Sequence, residues 1–323
     1  MLKFSLVTTC RNEIDSLPRW KQDILAQTRQ PDEIVIVDAF SDDGTAEMLF
    51  DWARNDERVV VIQEKGNAAH GRNFAIERAK HEHILSTDMG VRLCPVWCEE
   101  LIKPFEADPD VEIVAGSTQI DKETVKTAAA RAEYYIENGG EPRLGSGFVP
   151  GNRSVAYTKT VWRELGGLPE DLTFYADDSV FGRQMVHAGY KMAYAPKAMT
   201  YWGRPSRLRD FCKEQYNYGR GDGEAGIKTP FAFTLYAKSK IPRSLVPFFT
   251  GIRGLQKHLR LSAVVRALRA ADFPALAMMP VLLFCRNYSF GKGYLIGDAH
   301  GLDHCRDCRR RLKDPKWAQA HRA

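Results

Sequence analysis

Several things are missing from this 323-residue chain, and each absence removes a class of answer. No apolar run reaches the ~20 residues that cross a bilayer as a helix. The nearest, 273–285, is broken by Pro274 and Pro280. No charged leader with an apolar core opens the chain. Met1-Leu2-Lys3-Phe4-Ser5-Leu6-Val7 runs straight into a strand, so a cytoplasmic protein is expected. Cysteine is sparse, and seven scattered residues make no disulfide framework, as befits buried thiols in a reducing compartment. Glycine is absent where a dinucleotide fold needs it. After the first expected strand comes Thr8-Thr9-Cys10-Arg11-Asn12-Glu13, which disfavours NAD binding. There is no compact aromatic and basic motif, so nucleic acid is not an expected partner. Internal repeats and low-complexity segments are also lacking.

What is present is an ordinary folded composition, with 44% hydrophobic and 27% charged residues. Strand and helix patterns alternate four times in the first ~90 residues. Strands are expected over 3–9, 33–37, 59–62 and 83–87, and helices over 15–28, 45–55 and 71–80. That alternation predicts a parallel, doubly wound sheet. A helix over 96–106, a strand over 111–116 and a helix over 122–137 follow. A loop over 142–152 leads to a strand over 154–157, helices over 158–165 and 178–188, and a last strand over 191–195. Beyond ~200 the chain turns helical, basic and apolar, with helices expected over 244–259, 261–271 and 275–286. The last ~20 residues are polar and expected to fray.

Acids at strand ends carry the functional signal. Asp38 closes the second strand, Asp88 follows the fourth, and Asp177-Asp178 opens a helix. Ligands of α/β sheets bind beyond the carboxyl ends of the strands. One acid there can hold a nucleotide through ribose or base, while another can take a proton from an acceptor hydroxyl. Arg72 beside Gly71 at a helix start suits phosphate. Each feature alone has a plainer explanation: a surface cation at Arg72, or a helix cap at Asp177-Asp178.

Taken in order, the motifs resemble an inverting family-2 glycosyltransferase with the GT-A fold, over residues 3 to about 225. They are Val7-Thr8-Thr9-Cys10-Arg11-Asn12-Glu13, Ile36-Val37-Asp38 with Ser41-Asp42-Asp43-Gly44-Thr45, Gly71-Arg72-Asn73, and Thr87-Asp88-Met89-Gly90 with Pro95. Then come Gly151-Asn152-Arg153-Ser154-Val155-Ala156, Gly166-Gly167-Leu168-Pro169, Asp177-Asp178, and Gln215 through Gly221. The resemblance implies a GT-A (Rossmann-like) α/β fold over 1–225. Its mixed, mainly parallel sheet would be flanked by helices and followed by a helical basic and apolar extension over 226–323. It also implies a hexosyltransferase-like enzyme that moves a sugar from a nucleotide-sugar donor to a hydroxyl. The acceptor would be a lipid-linked or glycan intermediate of the cell envelope or an exopolysaccharide.

The same resemblance assigns roles to residues. Thr8, Asn12, Glu13, Asp38 and Arg72 would line the nucleotide, and Asp88 would bind donor and metal. Asp178 would be the general base beside Asp177. Gln215, Tyr218 and Arg220 would face the acceptor and the leaving diphosphate, which Lys213 would also help neutralise. Two departures stand out. Gly90 replaces the second acid of the Asp-x-Asp metal motif, which leaves Mg²⁺ or Mn²⁺ with one protein carboxylate. An Asp-Asp pair also stands in place of Glu-Asp.

Two other readings belong to different classes. A sugar-nucleotide pyrophosphorylase would need a Gly-rich basic loop after the first strand, which Cys10-Arg11-Asn12-Glu13 does not supply. A non-catalytic sugar-nucleotide-binding protein would fit the loss at Gly90, but the retained Asp178 argues against it. The basic C-terminal third, including Arg204, Arg220, Lys228, Arg253, Lys257, Arg260 and Arg266, suits either a solvated face or an anionic membrane surface. Peripheral contact with the inner face of the cell membrane is the functional form of that expectation. His300, His304, Cys305 and Cys308 include a Cys-x-x-Cys and would suit zinc. Their close spacing favours a solvated tail.

Overall fold

Short runs of Val, Ile and Leu build the centre of the molecule. In the structure, a computed structural model describing residues 1–140, 148–173 and 175–313, they form one eight-stranded sheet. The strands are β1 (Phe4–Cys10), β2 (Glu33–Asp38), β3 (Val59–Gln63), β4 (His83–Ser86), β5 (Val91–Leu93), β6 (Ile113–Ile120), β7 (Val155–Thr158) and β8 (Met192–Trp202). Their order is β3-β2-β1-β4-β7-β6-β8-β5. The first four strands are parallel, as the alternating pattern predicts. β7 runs antiparallel to both β4 and β6, and β5 runs antiparallel to β8. The sheet is therefore mixed and mainly parallel.

Side chains alternate across the sheet with a period of two. Leu6, Ile34 and Ile36 point to one face and pack with Trp20, Trp52 and Trp97. Val7, Val35, Val37 and Ile84 point to the other and pack with Ile76, Leu165 and Phe181. The helices that cover these faces are α1 (Leu17–Leu25), α2 (Thr45–Asn55), α3 (Ala68–Arg78), α4 (Trp97–Ala107), α6 (Lys159–Glu164) and α7 (Asp177–His187), while α5 (Ala128–Ile136) packs on later helices. The helical C-terminal part comprises α8 (Leu208–Ala225), α9 (Phe231–Ala237), α10 (Val246–His258), α11 (Leu261–Arg269), α12 (Phe273–His304) and α13 (Arg306–Lys313).

α8 and α12 lie against each other along a glycine seam. Gly219 and Gly223 of α8 meet the backbone at Phe290 and Tyr294, while Gly293, Gly297 and Gly301 of α12 meet carbonyls at Tyr216, Arg220 and Glu224. A Cβ at any of these positions would collide with backbone, so the seam fixes the helix that carries Gln215, Tyr218 and Arg220. Apolar side chains of α5, α8, α11 and α12, among them Ile136, Phe211, Ala267 and Leu282, form one further core cluster.

Several element boundaries differ from the sequence expectations. The expected helix over 122–137 is two pieces, because Asp121 caps a 3-10 turn at Lys122–Thr124 and Thr127 separately caps α5. α3 starts at Ala68, where Asn67 accepts from the His70 backbone N–H. The last strand does not stop at 195. It continues to Trp202, where it pairs with the unexpected β5. The expected helix over 275–286 is part of a 32-residue helix that carries Pro280 inside it. The polar end is not a solvated tail as far as it is described. Cys305 and Cys308 are fully buried and α13 packs them beside Leu172 and Val180. Residues 142–147 of the expected loop, Phe174, and 314–323 of the expected frayed end lie outside the described residues.

Candidate functional site

The parallel strands deliver their carboxyl ends to one edge of the sheet. Asp38 ends β2, and the turn after β4 presents Asp88. β7 runs the opposite way, so the residues before it, Gly151 to Ser154, arrive at the same edge. α7 begins there after Ala176, whose φ of 76° places a non-glycine residue in the left-handed region. Such strain persists where surrounding structure holds it, often at functional sites.

Arg72 links these pieces. It sits on the first turns of α3, where Gly71 lets the helix approach Thr9. Its Nη1 donates to Asp177 Oδ2 at 2.6 Å, and its Nη2 donates to Asp88 Oδ1 at 2.7 Å. Arg72 and Asp177 are both buried. Burial drives the Asp177 carboxyl above the usual range. Arg72 opposes that rise, while Asp178 and Asp88 add to it. Burial pulls the guanidinium the other way, yet Asp177, Asp88 and Asp178 keep it firmly charged.

Asp178 differs from its neighbour. It is half-buried, and among the described residues it has no ion pair and no side-chain hydrogen bond. Its Oδ2 lies 3.3 Å from where a Cβ on Gly151 would be, so Gly151 leaves room beside it. A carboxylate left unengaged in this way is chemically suited to accept a proton.

The other expected residues separate into three groups. Thr8 and Asp38 are wholly buried at the ends of β1 and β2. Asp38 Oδ2 accepts from Gln63 Nε2 at 2.9 Å, and its carboxylate also takes the Ser41 backbone N–H at 3.1 Å and the Ser41 hydroxyl. Asp38 therefore organises the turn after β2, and it reads a ligand only if one of those partners yields. Asn12, exposed and with φ of 58°, accepts from the Asp42 backbone N–H at 3.1 Å, and the Glu13 backbone donates to Thr45 Oγ1 at 2.9 Å. These bonds lace the loop after β1 to the start of α2.

The second group concerns the metal. Gly90 brings no carboxylate, but both Glu13 oxygens lie 3.8 Å from where its Cβ would be. Burial first, and then Asp88 and Asp43, lift the Glu13 carboxyl, while a Ser16 hydrogen bond lowers it. Oxygen donors of this kind fit a hard divalent cation.

The third group lies on α8. Gln215 borders a cavity of about 950 Å³ that also takes in Arg153 and Trp202. The Tyr218 hydroxyl accepts from Arg153 Nη2 at 3.1 Å. Arg220 is not beside them. It donates to Glu224 at 3.1 Å and borders a separate cavity of about 260 Å³ with Thr173 and Tyr175.

Sequence reasoning missed several residues. Arg153 was visible only as a Gly-Asn-Arg step before a strand. In the fold it stacks on Trp202 at 3.9 Å, and the carboxylates of Asp88 and Asp178 help keep it charged against burial. Arg204 was counted with the basic surface, but it is buried. It donates to Glu133 at 2.5 Å and to Glu214 at 2.7 Å. Asp222 of α8 is buried too, and burial pushes its carboxyl up to about 6. Glu224, His300 and Cys305 gather in the fold, but Arg220 and Thr173 already occupy the glutamate, and the Cys305 thiol donates to the Asp171 carbonyl.

Comparison with known proteins places this arrangement. Residues 5–159 match the model of glycosyl transferase family 2. The chain is 22% identical over 234 residues to the poly-beta-1,6-N-acetyl-D-glucosamine synthase of Staphylococcus aureus (strain MSSA476), a match covering 71% of this chain and 56% of that protein. It thus spans little more than half the length of that relative. It is 27% identical over 291 residues to the O-antigen chain rhamnosyltransferase WbaN of Salmonella anatum, covering 80% of this chain and 90% of the other. Among solved structures, it resembles the mannosyltransferase PcManGT from Pyrobaculum calidifontis in complex with GDP-Man and Mn²⁺. The TM-score is 0.53 at 19% identity, over 99% of this chain and 85% of that one. S. aureus TarS 1–349 in complex with UDP gives a TM-score of 0.52 at 15% identity, over 93% and 91% of the two chains. The sheet order, the acids at its carboxyl edge and these matches agree: residues 5–159 carry a glycosyl transferase family 2 match and the chain has the GT-A fold.

Proposed function

We propose that this protein transfers a sugar from a nucleotide-sugar to a hydroxyl of a cell-envelope or exopolysaccharide glycan, with inversion at the anomeric carbon. The observation that carries this reading is the division of labour among the acids. Arg72 holds Asp88 and Asp177, and Asp178 is left unengaged beside Gly151.

The reaction is a single in-line displacement. The acceptor oxygen forms the new bond to the anomeric carbon as the bond to the diphosphate oxygen breaks. Asp178 takes the hydroxyl proton, and the electron pair leaves with the nucleoside diphosphate. Asp177 keeps Arg72 in place, and Arg72 and Arg153 bring positive charge to the leaving diphosphate. Thr8, Asn12 and Asp38 shape the nucleotide pocket. Gln215, Tyr218 and Arg220 serve the acceptor and diphosphate side.

A divalent cation, Mg²⁺ or Mn²⁺, would be held by Asp88 and Glu13 and would supply further charge for the diphosphate. The acid missing at Gly90 is thus replaced by one from the loop after β1.

Residues 1–225 form the catalytic unit in this reading and 226–323 a helical extension that meets the membrane surface and a lipid-linked acceptor. Among the described residues no helix is long and apolar enough to cross a membrane. Phe248, Phe249, Leu261, Phe273 and Tyr288 are exposed on α10, α11 and α12, with Arg260 exposed nearby. Exposed aromatics beside cations suit an interfacial location, and the anionic inner leaflet attracts basic surfaces.

The test is a panel of UDP-, GDP- and dTDP-sugars, with and without Mn²⁺, read for binding and for nucleoside diphosphate release. One donor that binds and is turned over supports the transferase. Binding without turnover, even when membrane extract is supplied as acceptor, favours the non-catalytic reading. No binding at all contradicts both.

A further inference from the structure

The cavity of about 950 Å³ lies between the catalytic edge of the sheet and helices α10 and α12. Arg153 and Trp202 border it on the sheet side, and Arg153 feels the carboxylates of Asp88 and Asp178. α10 lines it with Arg253, Lys257 and His258. Five Lys or Arg side chains border it against two carboxylates, Glu133 and Glu137, and of the five Lys228 is paired with Asp222 at 3.4 Å. Those two carboxylates are already spoken for: Arg286 donates to Glu133 at 3.3 Å and to Glu137 at 2.9 Å, and Glu133 also serves Arg204.

Arg253 and Lys257 have no ion-pair partner among the described residues. Arg253 lies 5.8 Å from the ring of Phe231, a weak contact that leaves its charge unbalanced. His258, which borders the same cavity, is held toward its neutral form, first by burial and then by Arg286. A neutral imidazole still donates one hydrogen bond without adding charge. A concave site with excess, uncompensated positive charge focuses a field that favours an anion. A neutral sugar would leave those charges as they are.

We infer that this cavity seats a phosphate or diphosphate group carried by the acceptor, with Arg253 and Lys257 as its principal partners and the acceptor's hydroxyl end directed toward Arg153 and Asp178. Guanidinium and ammonium groups bind phosphate oxygens through charge-assisted hydrogen bonds. The inference rests on the transferase reading above, since it names what that enzyme's acceptor must carry. The anion would be borne either by a lipid or by a soluble phosphate ester.

The test is equilibrium binding of farnesyl diphosphate, farnesol and inorganic pyrophosphate to the full chain. The protein is loaded with whichever nucleoside diphosphate it binds, so that the donor's own phosphate subsite is filled. Wild type and the Arg253→Ala/Lys257→Ala variant are compared. Both residues are exposed, so the variant is expected to keep the wild-type melting temperature and the wild-type affinity for nucleoside diphosphate.

Wild type is expected to bind farnesyl diphosphate and not farnesol, with affinity falling as salt rises. The variant should bind at least about tenfold more weakly, since hydrogen bonds to charged groups are worth that much. Farnesyl diphosphate binding more tightly than pyrophosphate assigns the anion to a lipid; equal binding assigns it to any phosphate ester. Farnesol binding as well as its diphosphate, equal binding by variant and wild type, or no binding of either anion would each overturn the inference. Failure of the donor panel with farnesyl diphosphate binding intact would instead bring down the transferase reading and leave the anion site standing.

Discussion

Arg72 Nη1 donates to Asp177 Oδ2 at 2.6 Å, joining side chains 105 positions apart in the sequence. Both groups are buried, and the same guanidinium reaches Asp88. One cation thereby ties the turn after β4 to the start of α7. Removing one partner of a buried pair strands the other charge. Arg72→Ala should cost about 3–5 kcal/mol in chemical denaturation. Adding Asp177→Asn should recover part of that loss, because the stranded carboxylate is gone. Arg72→Lys keeps a charge but not the fork that spans two acids, so it should lose activity more than stability.

The Glu13 carboxylate stands close to the place a side chain at position 90 would occupy. Mn²⁺ binding to the nucleoside diphosphate complex, followed by electron paramagnetic resonance, tests whether it substitutes for the missing acid. Glu13→Gln should weaken Mn²⁺ by about tenfold. Gly90→Asp in that background should restore it, since the nearest atoms to a Cβ there are the Glu13 carboxylate oxygens at 3.8 Å. Unchanged Mn²⁺ affinity in Glu13→Gln would remove Glu13 from the metal site.

Asp222 gives a pH dependence of known sign. Burial raises its carboxyl from 3.8 to about 6 in spite of Lys228 at 3.4 Å. The folded protein holds this proton more tightly than the unfolded chain. The stability from that preference is present in full below about pH 4 and is lost as pH rises through about 6. Asp222→Asn removes the slope. Relative to wild type it should gain up to about 3 kcal/mol between pH 4 and pH 7, read by urea denaturation at a series of pH values. Parallel stability curves would show that Asp222 does not titrate in this window.

Much of this was legible in the sequence, for physical reasons that also explain what was not. β1 and β2 are β-branched runs buried on both faces, and such runs announce themselves. The strand-end acids are legible because parallel sheets place their ligands at one edge. The second half of β8 was hidden, since its burial alternates irregularly around Pro196 and Lys197. β5 has only three residues and exists because Val91 pairs with Trp202. The partnerships of Arg72 with Asp177, Arg204 with Glu133, and Glu13 with Gly90 join distant segments, and no local pattern encodes them. Arg204 was misplaced because a cation in a basic stretch looks solvated until its carboxylates are seen.

Sugar transfer by Asp178→Asn, measured against wild type with the donor that the panel identifies, is the most direct test. Radiolabelled nucleotide-sugar is incubated with a membrane extract as acceptor, and label in the product is counted beside donor affinity. The expected result is a fall in kcat of about 10²- to 10⁴-fold with the donor dissociation constant unchanged, as loss of a general base requires. Transfer at the wild-type rate by Asp178→Asn would contradict the assignment of Asp178 as the base and, with it, the mechanism proposed for this site.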